Sequence, residues 1–354
     1  MRQDSGPPDR RGRSALPRVP ITRGPRAGPR RIGFLLVPGF AVLAYACAME
    51  PYRAANDLTE ERLYLWRHIS HDGKPVSASN GIAFLPDQGI DGPSGVDDLI
   101  VCAGGNPTDF NDPATFAWLR AESARGIRIG GVSGGPEILA RCGLLTGYRC
   151  TAHWEYIPAM VERFPDLAVT RSLYEIDRDR CTCSGGTAAL DMAVALMEAE
   201  YGRPLANAVS EWFLHTHPRA ADEPQRMSLR ERYEVRHPGP LRALAAMEET
   251  LETPLERAAL AAVANVSVRQ LERLFDAHLG SSIGRHYLVL RLDHARRLLR
   301  QTSLSVLETA LACGFASAAH FSRAYRARFG QPPRVERTAP PQREGRGAAR
   351  RRGG

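Results

Sequence analysis

Residues 304–330 read Leu304-Ser-Val-Leu-Glu-Thr-Ala-Leu-Ala-Cys-Gly-Phe-Ala-Ser-Ala-Ala-His-Phe-Ser-Arg-Ala-Tyr-Arg-Ala-Arg-Phe-Gly330, and this stretch decides the fold of the last hundred residues. Ser305 is placed to N-cap a short helix from Val306 to Cys313. Gly314 supplies the left-handed residue that a tight inter-helix turn needs. Ser317 caps a second helix, Ala318 to Phe329, which Gly330 ends. Phe315, Phe321, Tyr325 and Phe329 fall at a spacing that buries one stripe. The opposite stripe holds Ala318, Ala319, Ser322, Arg323 and Arg326. Two short helices, a glycine turn and one apolar seam make a helix-turn-helix unit.

The same grammar occurs about fifty residues earlier. Leu255 to Ala264 is Ala-rich and apolar at helical spacing, and Asn265 stands at the turn, tolerating the left-handed region almost as glycine does. Ser267 caps Val268 to His278, with Leu271, Leu274 and Phe275 facing inward and Arg269, Glu272 and Arg273 outward. Between the units, His286 to Leu298 reads as a rigid connecting helix that buries Leu288, Leu290, Leu292, Leu298 and Leu299. Two such units in one chain can place two helices in successive major grooves on one face of DNA. Small residues at the start of the second helix permit close approach, and the arginines reach guanine edges or phosphates. The rival reading is two helical hairpins that merely pack or bind protein; paired capped turns joined by this linker argue against it.

Residues from about 238 to 335, including LRLDHARRLL and ALACGFASAAHFSRAYRARFG, resemble the AraC/XylS DNA-binding domain. The resemblance implies seven helices, with the two recognition helices in adjacent major grooves of promoter DNA, about 34 Å apart. By alignment to the family pattern, Arg269, Glu272 and Arg273 would face one groove, and Ala318, Ala319, Ser322 and Arg323 the other. Three positions depart from that pattern: Thr309 for a bulky aliphatic, Ile283 for a common proline, and Glu336 where an aromatic often packs.

Charge is distributed unevenly. The net charge is +8. Residues 1–31 carry nine Arg against two Asp, 236–333 thirteen Arg against eight acids, and 334–354 seven Arg against two Glu. Residues 32–235 therefore carry a net −9. A basic module behind an acidic one is the footprint of a phosphate-binding surface confined to one domain. The Arg/Pro/Gly-rich extensions, 1–30 and 338–354, read as disordered basic tails that are either inert or attract DNA non-specifically. No apolar run approaches the ~20 residues of a membrane span, and no apolar segment precedes residue 32 as a signal peptide would require, so a cytoplasmic, non-membrane protein is expected. Seven scattered cysteines fit a reducing compartment; Cys181-Thr-Cys183 has no matching second pair and reads as buried thiols. No metal or cofactor is expected.

The front two hundred residues read as α/β. Continuous apolar strands are expected at Ile32–Val37, Leu99–Cys102 and Ile127–Val132, with weaker ones at Leu63–Ile69 and Ile82–Leu85 and another at Arg180–Cys183. Helices are expected at Ala41–Asn56, Pro113–Ala124, after Ser133-Gly-Gly-Pro136, and at Thr187–Tyr201. The alternation argues for a flavodoxin-like doubly wound sheet, whose ligands lie beyond the strand C-termini. Three Gly-rich turns converge there: Gly104-Gly105, Ser133-Gly134-Gly135 and Ser184-Gly-Gly186.

Gly131-Val-Ser133-Gly-Gly135 matches the G-x-S-x-G nucleophile elbow. A hydrolase also needs an acid and a histidine; Asp191 with His215 or His217 can be named, but with too little fold between them. The segments IGFLLVPGF, VCAGG, GGVSGGPEILARCGLL, TAHWE and CSGGTAALDMAVALM resemble the class I glutamine amidotransferase-like superfamily, in its ThiJ/PfpI-type branch. Its enzymes carry cysteine at the elbow and a histidine nearby; here the positions are Ser133 and His153. Serine without an activating dyad is a poor replacement for a thiolate, so the resemblance implies a pocket without inherited chemistry. The amides near Ser133 and Gly134, with Gly104 and Gly105, are placed to hold a carboxylate or other anion. His153 is either a contact or a satisfied structural histidine, and Trp154 either lines the pocket or packs.

The expected plan is thus an α/β sensing and dimerisation domain (31–215), a linker (216–237) and a DNA-binding domain (238–337). The resemblance implies a regulator, acting as a homodimer, that answers a small-molecule effector such as an amino acid or quaternary amine and activates through RNA polymerase. The alternative is a DNA-tethered hydrolase or amidase using Ser133 and His153.

Overall fold

The computed structural model describes residue 19 and residues 28–302 and 304–336; the basic tails lie otherwise outside the described residues. In the front half the order is β1 (Arg30–Leu36), α1 (Val42–Thr59), β2 (Tyr64–Ile69), a small hairpin of β3 (Val76–Ser77) and β4 (Ala83–Phe84), β5 (Asp98–Ala103), α2 (Pro113–Ala124), β6 (Arg128–Ser133), α3 (Gly135–Arg141), β7 (Arg149–Cys150), α4 (Ile157–Arg163), β8 (Ala168–Val169), β9 (Tyr174–Asp177), β10 (Arg180–Cys183), α5 (Ala188–Tyr201) and α6 (Arg203–Trp212).

The main sheet has the order β2-β1-β5-β6-β10-β9. All neighbours are parallel except β9 and β10. Beyond their charged first residues, strands β1 and β5 run apolar because both faces of the sheet are covered. One core packs Phe34, Tyr52, Met192 and Leu205 beneath α1, α5 and α6; the other packs Leu35, Leu99, Ile138 and Met160 beneath α2, α3 and α4. The expected doubly wound sheet is therefore present, with an antiparallel edge strand and the β7/β8 pair added. Those strands carry too few residues to show a period in the sequence. Burial pushes the Cys181 and Cys183 thiols up to about 12, and among the described residues no cluster suited to a metal ion occurs.

Residues 216–237 were expected to be a plain linker; the structure shows a fitted strap. The Arg219 backbone and guanidinium both donate to buried Asp191. The Gln225 amide donates to Thr151 Oγ1 and to the Ala152 and Ser172 carbonyls at 2.7–3.1 Å. Ser228 and Glu231 form a capping box that starts α7 (Leu229–Tyr233). Arg219 and Gln225 looked like generic loop residues because their partners lie 28 to 74 positions away.

The back half contains α8 (Pro238–Glu249), α9 (Arg257–Ala264), α10 (Val268–Leu279), α11 (Ile283–Gln301), α12 (Val306–Ala312), α13 (Ala318–Phe329) and α14 (Pro333–Glu336), the seven helices expected. Ser267, Ser305 and Ser317 cap α10, α12 and α13 as anticipated. Asn265 is left-handed at φ 58° and Gly314 at φ 70°. A Cβ on Gly314 would stand 2.5 Å from Pro254 Cδ and 2.7 Å from the Glu252 carbonyl, so the second turn packs too tightly on the first unit for any other residue. There are two small cores. Leu260, Leu271, Phe275, Ile283 and Tyr287 form one; Leu292, Leu298, Phe315, Phe321 and Tyr325 form the other.

The three departures from the family pattern have different outcomes. Ile283 is buried as an ordinary core residue. Thr309 is fully buried with its hydroxyl bonded to no protein atom, a local cost. Glu336, buried, is an acceptor hub: it takes bonds from Arg296 (2.8 Å), Arg300 (2.7 Å), Tyr325 Oη (2.9 Å) and Gln331 (2.8 Å). Burial works against its charge, but the bonds from Arg296, Gln331 and Tyr325 outweigh it and hold the carboxyl at about 2. Its folded pKa lies below its unfolded value, so its contribution is complete above about pH 4.5 and fades as pH falls toward 2. Arg300 is nearly half exposed, so we discount the pairing to on the order of 2 kcal/mol. Glu336→Gln should therefore lower stability by about that amount at pH 7, with the deficit against the parent chain shrinking between pH 4.5 and 3. Paired thermal melts across this range test it; a pH-independent deficit would contradict the ionised hub.

Candidate DNA-reading surface and effector pocket

Each helix-turn-helix turn is pinned by an arginine from the preceding helix. Arg242 of α8 donates to the Val263 and Ala264 carbonyls at the end of α9. Arg291 of α11 donates to the Cys313 and Gly314 carbonyls at 2.7 and 2.6 Å, with its guanidinium 4.1 Å from the Phe315 ring centre. A cation on otherwise unbonded C-terminal carbonyls satisfies them and meets the helix dipole favourably. These two arginines fix the angle at which α10 and α13 stand out.

On α10, Arg269 and Arg273 are exposed; on α13, Ala319 and Arg323 are exposed, with Ala318 and Ser322 half-buried. Arg269, Arg273 and Arg323 have no protein partner among the described residues, which suits groups meant for phosphates or base edges. Arg326 is exposed beside them. Glu272 departs from the outward role expected of it. It is half-buried, accepts from the Ile283 amide at 3.3 Å and lies 3.7 Å from Arg257, so its carboxylate caps the start of α11 instead of facing a groove.

At the other end of the chain, Ser133 closes β6 in the left-handed region at φ 58°, the sharp turn expected of an elbow. The turn exists because glycines surround it. A Cβ on Gly135 would lie 2.1 Å from the Val101 carbonyl, and one on Gly185 2.7 Å from Ser133 Cβ. Gly104 is also hemmed in, with a Cβ position 2.7 Å from the Ala41 amide, while Gly105 is exposed. The anion cradle expected here is only partly available, because the Gly134 amide donates to the Ala103 carbonyl at 3.2 Å. The Gly105 carbonyl accepts from Tyr156 Oη at 2.9 Å. Tyr156, the residue directly after the TAHWE motif, was missed in the sequence because its partner, the Gly105 carbonyl, lies 51 positions away.

His153 meets Ser133 through its backbone amide, 3.4 Å from the Ser133 carbonyl. Its ring packs at a tilt against Trp154 and Tyr156, with centroids 5.4 and 5.7 Å away. Burial holds its pKa below the ordinary value, against a small opposing effect of Glu155. The contact between His153 and Ser133 is thus one of backbone to backbone. Asp191 and His215 do pair, at 2.6 Å, but Asp191 is also the anchor of Arg219 in the strap. Trp154 lies under two guanidiniums, Arg226 at 4.5 Å and Arg297 at 5.9 Å.

Residues 260–339 match the family described as "Helix-turn-helix domain", and residues 43–199 match the DJ-1/PfpI family. The chain is 45% identical over 313 residues to the HTH-type transcriptional regulator GbdR of Pseudomonas aeruginosa, covering 88% of this chain and 85% of that protein. It is 44% identical over 306 residues to the HTH-type transcriptional regulator GlxA of Rhizobium meliloti, covering 86% and 94%. A ThiJ/PfpI family protein of Pseudomonas syringae superposes with a TM-score of 0.50 at 21% identity, covering 75% of this chain and 98% of that one, a likeness of fold. The chain belongs to the HTH-type transcriptional regulators that join an AraC-type DNA-binding domain to a DJ-1/PfpI-type domain.

Proposed function

We propose that this regulator activates transcription from promoters it reads with α10 and α13, under control of a small nitrogen-containing effector, an amino acid or quaternary amine, bound at the Ser133 elbow. The observation that carries the DNA half is the pair of pinned turns presenting unpartnered Arg269, Arg273 and Arg323 from one connected helical frame. In this reading Ser133, His153 and Tyr156 contact the effector, with Gly104 and Gly105 letting it approach the backbone. The chain acts in the cytoplasm as a homodimer and contacts RNA polymerase. In this reading it is a regulator without catalysis, since a serine stands at the elbow where enzymes of the branch it resembles carry cysteine, and a hydroxyl is a poor replacement for a thiolate.

Selection from a random DNA pool at about 150 mM salt should return a two-part motif with centres about 10 base pairs apart. Recovery of non-specific DNA alone would sink the paired-groove reading. On the selected site, Arg323→Ala should cost about 1–3 kcal/mol and relax preference at one position; an equal loss on all sequences would make it a phosphate contact.

For the pocket, a panel of free amino acids and quaternary amines should contain a compound that raises the unfolding free energy of the full chain by about 2.7 kcal/mol at a hundredfold excess over Kd. Ser133→Gly should keep or slightly raise basal stability, since glycine accepts φ > 0 without strain, yet weaken that response. Hydrolysis of esters or amides that disappears in Ser133→Ala would favour the enzyme instead.

A further inference from the structure

The face of α11 turned from the two DNA-binding cores lies against the α/β domain, where α4 packs on it. Two lines of contact reach the C-terminal half of α11 from the elbow. His153, whose amide donates to the Ser133 carbonyl, packs at a tilt against Trp154, whose ring faces Arg297 of α11 and Arg226 of the strap. Glu137, four residues beyond Ser133, is ion-paired with Arg163 at the end of α4, and Arg163 donates to the carbonyl of Gln301, the last residue of α11.

This seam is polar and poorly satisfied. His294 Nδ1, Arg297 Nε and Gln301 Oε1 are buried and bonded to no protein atom, as is Glu137 Oε2 beyond Arg163. At about 100° per residue, the three α11 positions fall on one stripe. Burying polar groups without partners is costly, so a few specific contacts hold the seam closed against a standing penalty. Arg226 and Arg297 also repel each other across one ring, and burial holds both below the usual arginine range. The body brought against the DNA-binding domain is the acidic one: residues 32–235 carry eighteen basic against twenty-seven acidic residues. Kept within a Debye length of ~8 Å, such a body opposes the approach of phosphates.

We infer that Trp154 and Arg163 are positioning residues of an interdomain latch, holding α11, and with it both reading helices, in a state of low DNA affinity that occupancy of the elbow pocket releases. The release step rests on the effector reading above; the latch itself rests on the seam contacts.

The test uses the full chain and two readouts. Amide hydrogen exchange is followed in residues 291–301, with residues 98–103 of the sheet as the folding control. Affinity is measured for the operator recovered by selection, without effector. Arg297→Met and Trp154→Ala should each speed exchange in 291–301, leave 98–103 protected, and tighten operator binding about fivefold or more. The double variant should gain no more than either single one, because both break the same contact. Arg297→Lys, which keeps a cation over the ring, should behave as the parent chain. Unchanged exchange in 291–301, or weaker operator binding in the single variants, overturns the latch. Should no chain select an operator, the DNA reading fails, and the exchange data still decide the latch.

Discussion

Helix α11 is shared by two cores, and the back half of the molecule is built on that constraint. Ile283 and Tyr287 belong to the first core, and Leu292, Ala295, Leu298 and Leu299 to the second. Each core alone is too small to be stable by itself. A helix common to both makes them fold as one unit and fixes the distance between the reading helices. Its nineteen residues span about 28 Å, close to one turn of DNA. Flexibility between the units would turn the second recognition event into a separate binding problem; a shared helix removes that entropy before DNA arrives.

Smaller devices then set the angles. Arg242 and Arg291 play the same part in the two units, each closing a helix C-terminus that the turn would otherwise leave exposed. Glu272 links α10 to the first amide of α11, and Glu336 ties Arg296 and Arg300 of α11 to Tyr325 of α13. Every one of these ties ends on α11 or on the helix that plays its role in the first unit. Polar side chains from the frame thus align α10 and α13, while Arg269, Arg273 and Arg323 stay outside the alignment network among the described residues.

What the sequence showed was local. Serine caps, the left-handed Asn265 and Gly314, and apolar stripes act within four or five residues, and each appears in the structure where its pattern placed it. The buried strands were legible because a parallel sheet covered on both faces demands an unbroken apolar run. The missed features are pairings across long stretches of chain. The strap is held by Asp191 and Thr151, Glu272 turns inward to an amide eleven residues on, and Trp154 finds its arginines in two separate elements. A tryptophan in a conspicuous motif reads equally as lining a pocket or packing until the connecting helix and its Arg297 are seen beside it. Glu336 was legible only as an oddity, since an acid at an aromatic position makes sense only when four donors converge on it.

The elbow itself connects the two halves of this argument. Ser133 holds a backbone conformation that costs a non-glycine residue of order 1 kcal/mol or more, and Gly131, Gly135 and Gly185 are packed so closely around it that their Cβ positions are occupied by backbone or by Ser133. Such rigidity is what a nucleophile requires. Rigidity also suits a different task. Helix α3 begins two residues after Ser133, carries Glu137 in its first turn, and through Arg163 reaches the end of α11. A loose elbow would absorb any displacement caused by a ligand; a strained one in a close-packed bed transmits it, because such interiors have discrete alternatives and little give. The geometry that positions a reacting atom in an enzyme of this fold is, in this chain, joined through Glu137 and Arg163 to a helix that both helix-turn-helix units share.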